Sequence, residues 1–205
     1  MALPLKYNLR NVFIRWRATL ATILGVALVV AVYILVQALA VGLEKSSANT
    51  GDPRNVMVVR KGSTSESSSL VTREHLRLLQ YLPEVAVDDQ KRAVLSADAL
   101  TLITLPRRDG AGEANVLVRG ISPRGIELRP QVRLVAGRWF VPGKREVVVS
   151  RRLAGRFASF NVGDSFKAGP DRLTVVGWMD GQRSAFDSEA WMDAMSLRST
   201  VRGRP

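Results

Sequence analysis

His75 is the single histidine of the chain, and cysteine is absent. Thiolate nucleophiles, disulfides and Cys/His metal sites are thereby removed from consideration together. His75 sits in "TREHLRLLQYL", between the Leu76 side of a helical repeat and its polar face. To act as a general base it would need a presented serine and a carboxylate. The Gly-x-Ser-x-Gly turn that presents such a serine does not occur, so His75 reads as a surface residue. In "FDSEAWMD", Asp187, Glu189 and Asp193 could suggest a cation site, but the spacing and glycine of a calcium loop are missing. A solvated acidic face is expected there. Gly110 and Gly112 in "PRRDGAG" have no third glycine and no following helix. With no Gly-x-x-x-x-Gly-Lys-[Ser/Thr] either, no phosphate cradle and no ATP site are expected. No catalytic, cofactor-binding or metal-binding residue is assigned, and the chain reads as something other than an enzyme.

Charge gives a second bound. The 205 residues carry 30 Lys+Arg against 18 Asp+Glu, a net +12. The basic residues are scattered from Arg54 to Arg204 apart from doublets such as Arg107-Arg108 and Arg151-Arg152, without zinc-finger or RNP-type spacing. Nucleic acid is therefore not expected as a partner. Solvation, or attraction to anionic lipid headgroups, accounts for the charge better. A composition of 46% hydrophobic and 23% charged residues describes folded protein.

The elements that frame these residues begin with "RWRATLATILGVALVVAVYILVQALAVGLEK", Arg15–Lys45. From Ala18 to Leu43 there is no charge across 26 residues, about 39 Å as a helix and enough to cross a hydrocarbon core of about 30 Å. No polar stripe marks it as a soluble core helix. "QALAV" offers an Ala-x-Ala-like cleavage site, but the apolar run exceeds the roughly 7–15 residues of a signal peptide. A retained membrane span is expected. Lys6, Arg10, Arg15 and Arg17 precede it without an acid, whereas Glu44 and Lys45 cancel after it. The positive-inside rule then places the N-terminus in the cytoplasm and the bulk outside. Leu5, Leu9, Val12, Phe13 and Trp16 among the basic residues suggest an amphipathic segment in the cytoplasmic interface.

Beyond the span, "NVMVV" (Asn55–Val59) reads as a strand and "KGSTSESSS" (Lys61–Ser69) as a flexible loop. Thr72–Leu82 reads as a helix capped by Thr72, spaced by Leu76, Leu79 and Leu82, and stopped by Pro83. Ala97–Leu105 and Glu113–Ile121 flank a polar tip as a hairpin. Val132–Phe140, Arg145–Ser150, Asp164–Ala168 and Arg172–Met179 continue as strands, with a short helix within Arg151–Ser159. The expected class is α+β: one N-terminal transmembrane helix, then a mixed α/β domain of mainly antiparallel strands in two lobes. The helix Thr72–Leu82 and the tip Pro106–Gly112 are the candidates for protein contacts.

This order of parts resembles the N-terminal half of MacB/FtsX-like ABC transporter permeases. "NLRNVFIRWRATLATILGVAL" (Asn8–Leu28) looks like the family's first helix and span. "GRWFVPGKREVVVSRRLAGRF" is similar to a family pattern that falls here on Gly137, Arg138, Phe140 and Glu146. "NVGDSFKAGPDRLTVVGWMDGQRSAFDSEAWMD" matches elements at Gly163, Asp164, Gly177, Phe186 and Asp187. These positions suit turns and strand ends, so they read as scaffold.

The resemblance implies residues 1–17 as a cytoplasmic basic segment, 18–43 as the span, 44–193 as a periplasmic core domain and 194–205 as a polar basic tail. It implies the cell inner membrane, an ABC ATPase on a separate chain, a periplasmic adaptor or substrate, and a homodimer in the full-length family. The family continues into three further spans, whereas "AMSLRSTVRGRP" is polar and basic. A truncated permease is therefore expected. A self-sufficient, membrane-anchored binding or adaptor module is the alternative.

Overall fold

The computed structural model describes residues 15–48 and 50–202, with side chains omitted at 46–48 and 199–202. Lys6 and Arg10, with the rest of the expected interfacial segment before Arg15, lie outside the described residues. The chain divides into two compact units, Met1–Lys45 and Ser46–Pro205.

The first unit is dominated by helix α1, Trp16–Ala48, which begins at Arg17's neighbour and contains the whole uncharged run. Its stretch Trp16–Lys45 is long and apolar enough to cross a membrane. Leu, Val and Ile are exposed all round it, from Leu20 to Leu43, which suits an apolar solvent on every side. The few polar side chains bond within the helix: Thr22 Oγ1 donates to the Ala18 carbonyl at 3.1 Å, and Gln37 Nε2 to Tyr33 Oη at 3.4 Å. Arg17 lies 5.6 Å from the centroid of the Trp16 ring.

The second unit opens with helix α2, Arg73–Leu79, whose N-cap Thr72 accepts from the His75 amide. Strands β1 (Ala99–Pro106) and β2 (Glu113–Ile121) form the expected hairpin. Helix α3 (Pro123–Glu127), β3 (Arg133–Gly137), β4 (Glu146–Ser150), α4 (Arg151–Ala154), β5 (Ser165–Ala168) and β6 (Asp171–Asp180) follow. A 3₁₀ turn at Ala185–Ser188, β7 (Glu189–Asp193) and α5 (Ala194–Arg202) complete it. The sheet runs β1-β2-β7-β4-β6-β3, with β5 also on β6. Most pairings are antiparallel, but β2–β7 and β4–β6 are parallel, so the sheet is mixed. Ser46–Pro205 forms one compact unit, and two lobes are not delineated within it.

Both faces of the sheet are covered. Val147 and Val149 of β4 join a cluster with Leu153, Phe157, Phe160 and Leu197, while Val148 joins the opposite cluster with Ile121, Phe140, Phe186 and Trp191. Strands buried on both faces read as unbroken apolar runs, which explains "EVVVS". Two expectations from local sequence are corrected. Asn55–Val59 has no regular secondary structure and pairs in no sheet, because β-propensity supplies side chains and not a partner. Residues 185–193, to which the sequence reading assigned motif positions and carboxylates but no strand, form a turn and a central strand.

A bulge in β6 inverts its alternation. Val175 faces the Leu153 cluster and Val176 the Trp191 cluster, yet Trp178 returns to the first, because the register against β4 slips between Val175 and Gly177. Strand β3 bulges opposite and brings Gly137 against Gly177. A Cβ on Gly177 would lie 2.5 Å from the Arg138 carbonyl oxygen, and one on Gly137 2.2 Å from that of Val176, where Gly137 also has φ +71°. Only glycine fits this crossing. Gly177→Ala is expected to destabilise the domain by about 1–3 kcal/mol, measured as a lowered denaturation midpoint by tryptophan fluorescence. Gly155→Ala, at φ −70° with its nearest atom 3.6 Å away, is the control and should stay within about 0.5 kcal/mol.

Candidate functional site

The three acids of "FDSEAWMD" are buried, which overturns the expected solvated face. Strand β7 lies between β2 and β4 with all five residues buried, so each carboxylate must find an internal partner. Asp187 Oδ1 accepts from the Gly181 amide at 2.7 Å and Oδ2 from the Arg183 amide at 2.9 Å, while its carbonyl accepts from Ser150 Oγ at 2.7 Å. It closes the turn after β6 and ties it to the start of α4. Asp193 Oδ2 accepts from the Ser196 amide and hydroxyl, both at 3.0 Å, capping α5, and from the Gly143 amide at 3.2 Å. Among the described residues, no three metal-ligating side chains come together.

Glu189 belongs to the densest charged cluster of the domain. Arg119 on β2 faces it bidentately, with Nε to Oε2 and Nη2 to Oε1 both at 2.8 Å. The Trp191 indole N–H donates to Oε2 as well, at 2.8 Å. Arg119 also donates to Glu66 in the loop after residue 60, through Nη1 and, at 3.0 Å, through Nη2. Its Nη1 reaches Asp98 at 3.2 Å. Arg129, just after α3, donates to Asp98 at 2.6 Å and to the Gly125 carbonyl at 2.9 Å. Both guanidinium groups lie over the Phe186 ring, at 5.6 and 5.5 Å from its centroid. Burial alone would lower the Arg119 pKa, but its hydrogen bonds to Glu189 and Glu66 more than reverse this and raise it. The loop Lys61–Ser69, read as flexible, is thus anchored through Glu66.

The remaining motif residues are also structural. Phe140 and Phe186 are buried. Gly163 turns with φ +97°, and Asp164 Oδ2 accepts from the Asn161 amide and side chain at 3.0 and 2.9 Å. Arg138 holds Glu146 bidentately at 2.6 and 2.7 Å. Of the expected contact elements, the tip Pro106–Gly112 is docked: Arg108 donates to the carbonyls of Ala154 and Phe157 at 3.1 and 3.2 Å, satisfying the C-terminal end of α4. Helix α2 stays on the surface, with His75 exposed. Sequence reading missed the Arg119 cluster. Its one local sign was an arginine at an inward position of an otherwise apolar strand.

The MacB-like periplasmic core domain model matches residues 18–204. The chain belongs to that family. Among solved structures, this MacB-like domain is similar to the extracellular domain of the noncanonic ABC-type transporter YknZ from Gram-positive bacteria. Identity there is 19%, over 64% of this chain and 67% of that one, with a TM-score of 0.48. It is also similar to the periplasmic region of MacB from Actinobacillus actinomycetemcomitans, at 14% identity over 53% of this chain and 51% of that one, with a TM-score of 0.41. The chain thus spans about half the length of that MacB region. No curated protein matches the sequence.

Two outcomes are expected for the ion pairs of this MacB-like domain. Arg119→Met leaves Glu189 buried without its guanidinium and should cost about 3–5 kcal/mol, whereas Arg119→Met combined with Glu189→Leu should recover much of that; chemical denaturation of both variants checks it. The second concerns acid. Hydrogen bonds from Arg138 hold the Glu146 carboxyl down at about 2 from an ordinary 4.5. The folded state therefore binds its proton less readily, and the stabilisation is complete above the ordinary value and fades as pH falls from about 5 to about 2. The difference in denaturation midpoint between the native protein and Arg138→Gln should accordingly shrink from pH 6 to pH 3.

Proposed function

We propose that this chain is the membrane-anchored, periplasmic portion of a permease subunit in an ABC-type export or extrusion system, and not itself an enzyme. The observation that carries the reading is the family match, which begins within the apolar helix and continues through the whole sheet. Helix α1 anchors the chain in the inner membrane. Arg15 and Arg17 at its start, with Lys6 and Arg10 before them, hold that end on the cytoplasmic side. The sheet domain then faces the periplasm and engages a substrate or an adaptor, ATP being hydrolysed on a separate ABC subunit. The buried acids and arginines bind the domain's own segments together, as a force-bearing outer domain requires, and homodimerisation fits the same role.

A reporter active only in the periplasm, fused after Pro205, should be active, and one active only in the cytoplasm should be silent there; the reverse pattern would overturn the orientation. The purified chain should hydrolyse no ATP, and salt-resistant turnover without a partner ATPase would sink the permease reading.

A further inference from the structure

Arg119 has two edges that can each grip a carboxylate, and they are filled differently. The Nε–Nη2 edge holds Glu189, whose side chain is 4% exposed and fixed on the central strand β7. The outer edge, Nη1–Nη2, holds Glu66, whose side chain is 31% exposed and comes from a loop. Asp98 touches the outer edge through Nη1 alone, at 3.2 Å, and is itself held by Arg129 at 2.6 Å. A planar pair of N–H groups of this kind matches the fork of a carboxylate.

Glu66 is the member of the cluster that can leave. Among the described residues, the other hydrogen bonds of its loop run within residues 60–69, so Glu66 is the loop's hydrogen-bonded tie to the sheet. Charge balance does not require it, because without Glu66 two arginines face two carboxylates, Glu189 and Asp98. It is held by the outer N–H groups of a buried side chain, which are costly to leave without an acceptor. The edge needs an occupant, and that occupant need not be Glu66.

We propose that the outer edge of Arg119 is a carboxylate-binding site with Glu66 as its built-in ligand, and that an incoming carboxylate exchanges with Glu66 and releases the loop. The ligand is a singly charged carboxylate, free or on an acidic side chain of another polypeptide. A dianion would set a second negative charge beside Asp98 and Glu189 with no cation to meet it. The inference goes beyond the permease assignment and does not need it, since it rests on this cluster alone.

Glu66→Ala removes a methylene and its carboxylate, the atoms of acetate, so acetate at neutral pH is the probe. The full chain in detergent micelles, with isotope-labelled tryptophan, reports through the Trp191 indole N–H, which donates to Glu189 Oε2 beside Arg119. Acetate should shift this resonance saturably in Glu66→Ala, and at least tenfold more weakly in the native chain, where Glu66 competes. Chloride and sulfate at matched ionic strength should leave it in place. Loop amides at 61–69 should exchange at least tenfold faster in Glu66→Ala, and acetate should not slow them again, because it fills the site without tying the loop. Adding Arg119→Met and Glu189→Leu to Glu66→Ala should abolish the shift of the indole, whereas Glu74→Ala, on the exposed helix α2, should respond like the native chain. A capped Ser-Glu-Ser peptide that binds tighter than acetate assigns the site to an acidic side chain, and one that binds more weakly assigns it to a free carboxylate; both support it. An equal response to sulfate, or a response that survives loss of Arg119, would overturn the proposal. So would no saturable shift in Glu66→Ala, since Asp98 or another segment of the chain would then have closed the edge.

Discussion

The bidentate contact between Arg119 and Glu189 is the interaction around which the domain is organised. It joins β2 to β7 along a parallel pairing, on the face where Trp191 and Phe186 exclude water. Two charges in such a place carry a desolvation cost that only good geometry and further hydrogen bonds offset. That requirement explains the neighbours. The Trp191 indole takes up a Glu189 lone pair, Glu66 and Asp98 occupy the remaining guanidinium donors, and Arg129 balances Asp98. Two arginines stand against three carboxylates, and the five segments that carry them are tied together by satisfying them.

The regular elements were legible because their signals are local. Thr72 ahead of Leu-spaced residues marked α2, alternation and a polar tip marked the hairpin, and unbroken valines marked β4. What escaped depends on distant partners. Glu66 looks like one more polar residue in a serine-rich loop until Arg119, far along the chain, reaches it. Asp187, Glu189 and Asp193 look solvated because nothing adjacent announces that β7 runs through the middle of the sheet. Asn55–Val59 shows the converse error, a strand composition without a ladder. Helix α3 was overlooked although Ser122-Pro123 is an N-cap followed by proline in the first turn.

The family-motif positions share one property: each serves the fold. Gly137 and Gly177 permit the β3–β6 crossing, Asp187 closes a turn, Phe140 and Phe186 fill the core, and Arg138 with Glu146 ties β3 to β4. A resemblance carried by such residues identifies the scaffold and leaves recognition to the surface. That is why the family could be read from these motifs while the cargo could not.

The surface itself is unevenly secured. From Thr50 to Asp98, ahead of β1, no described residue is buried. This stretch joins the sheet mainly through polar clasps: Asn55 to the Leu128 carbonyl at 2.7 Å, the Thr50 carbonyl to Gln131 at 2.9 Å, Glu66 to Arg119, Asp88 to Arg124 and Asp98 to Arg129. Polar clasps fix position without adding much burial, so this stretch belongs to the low-stability end of the domain. The sheet is thus held by apolar burial and the stretch ahead of it by hydrogen bonds and ion pairs, so local opening costs less in the second than in the first.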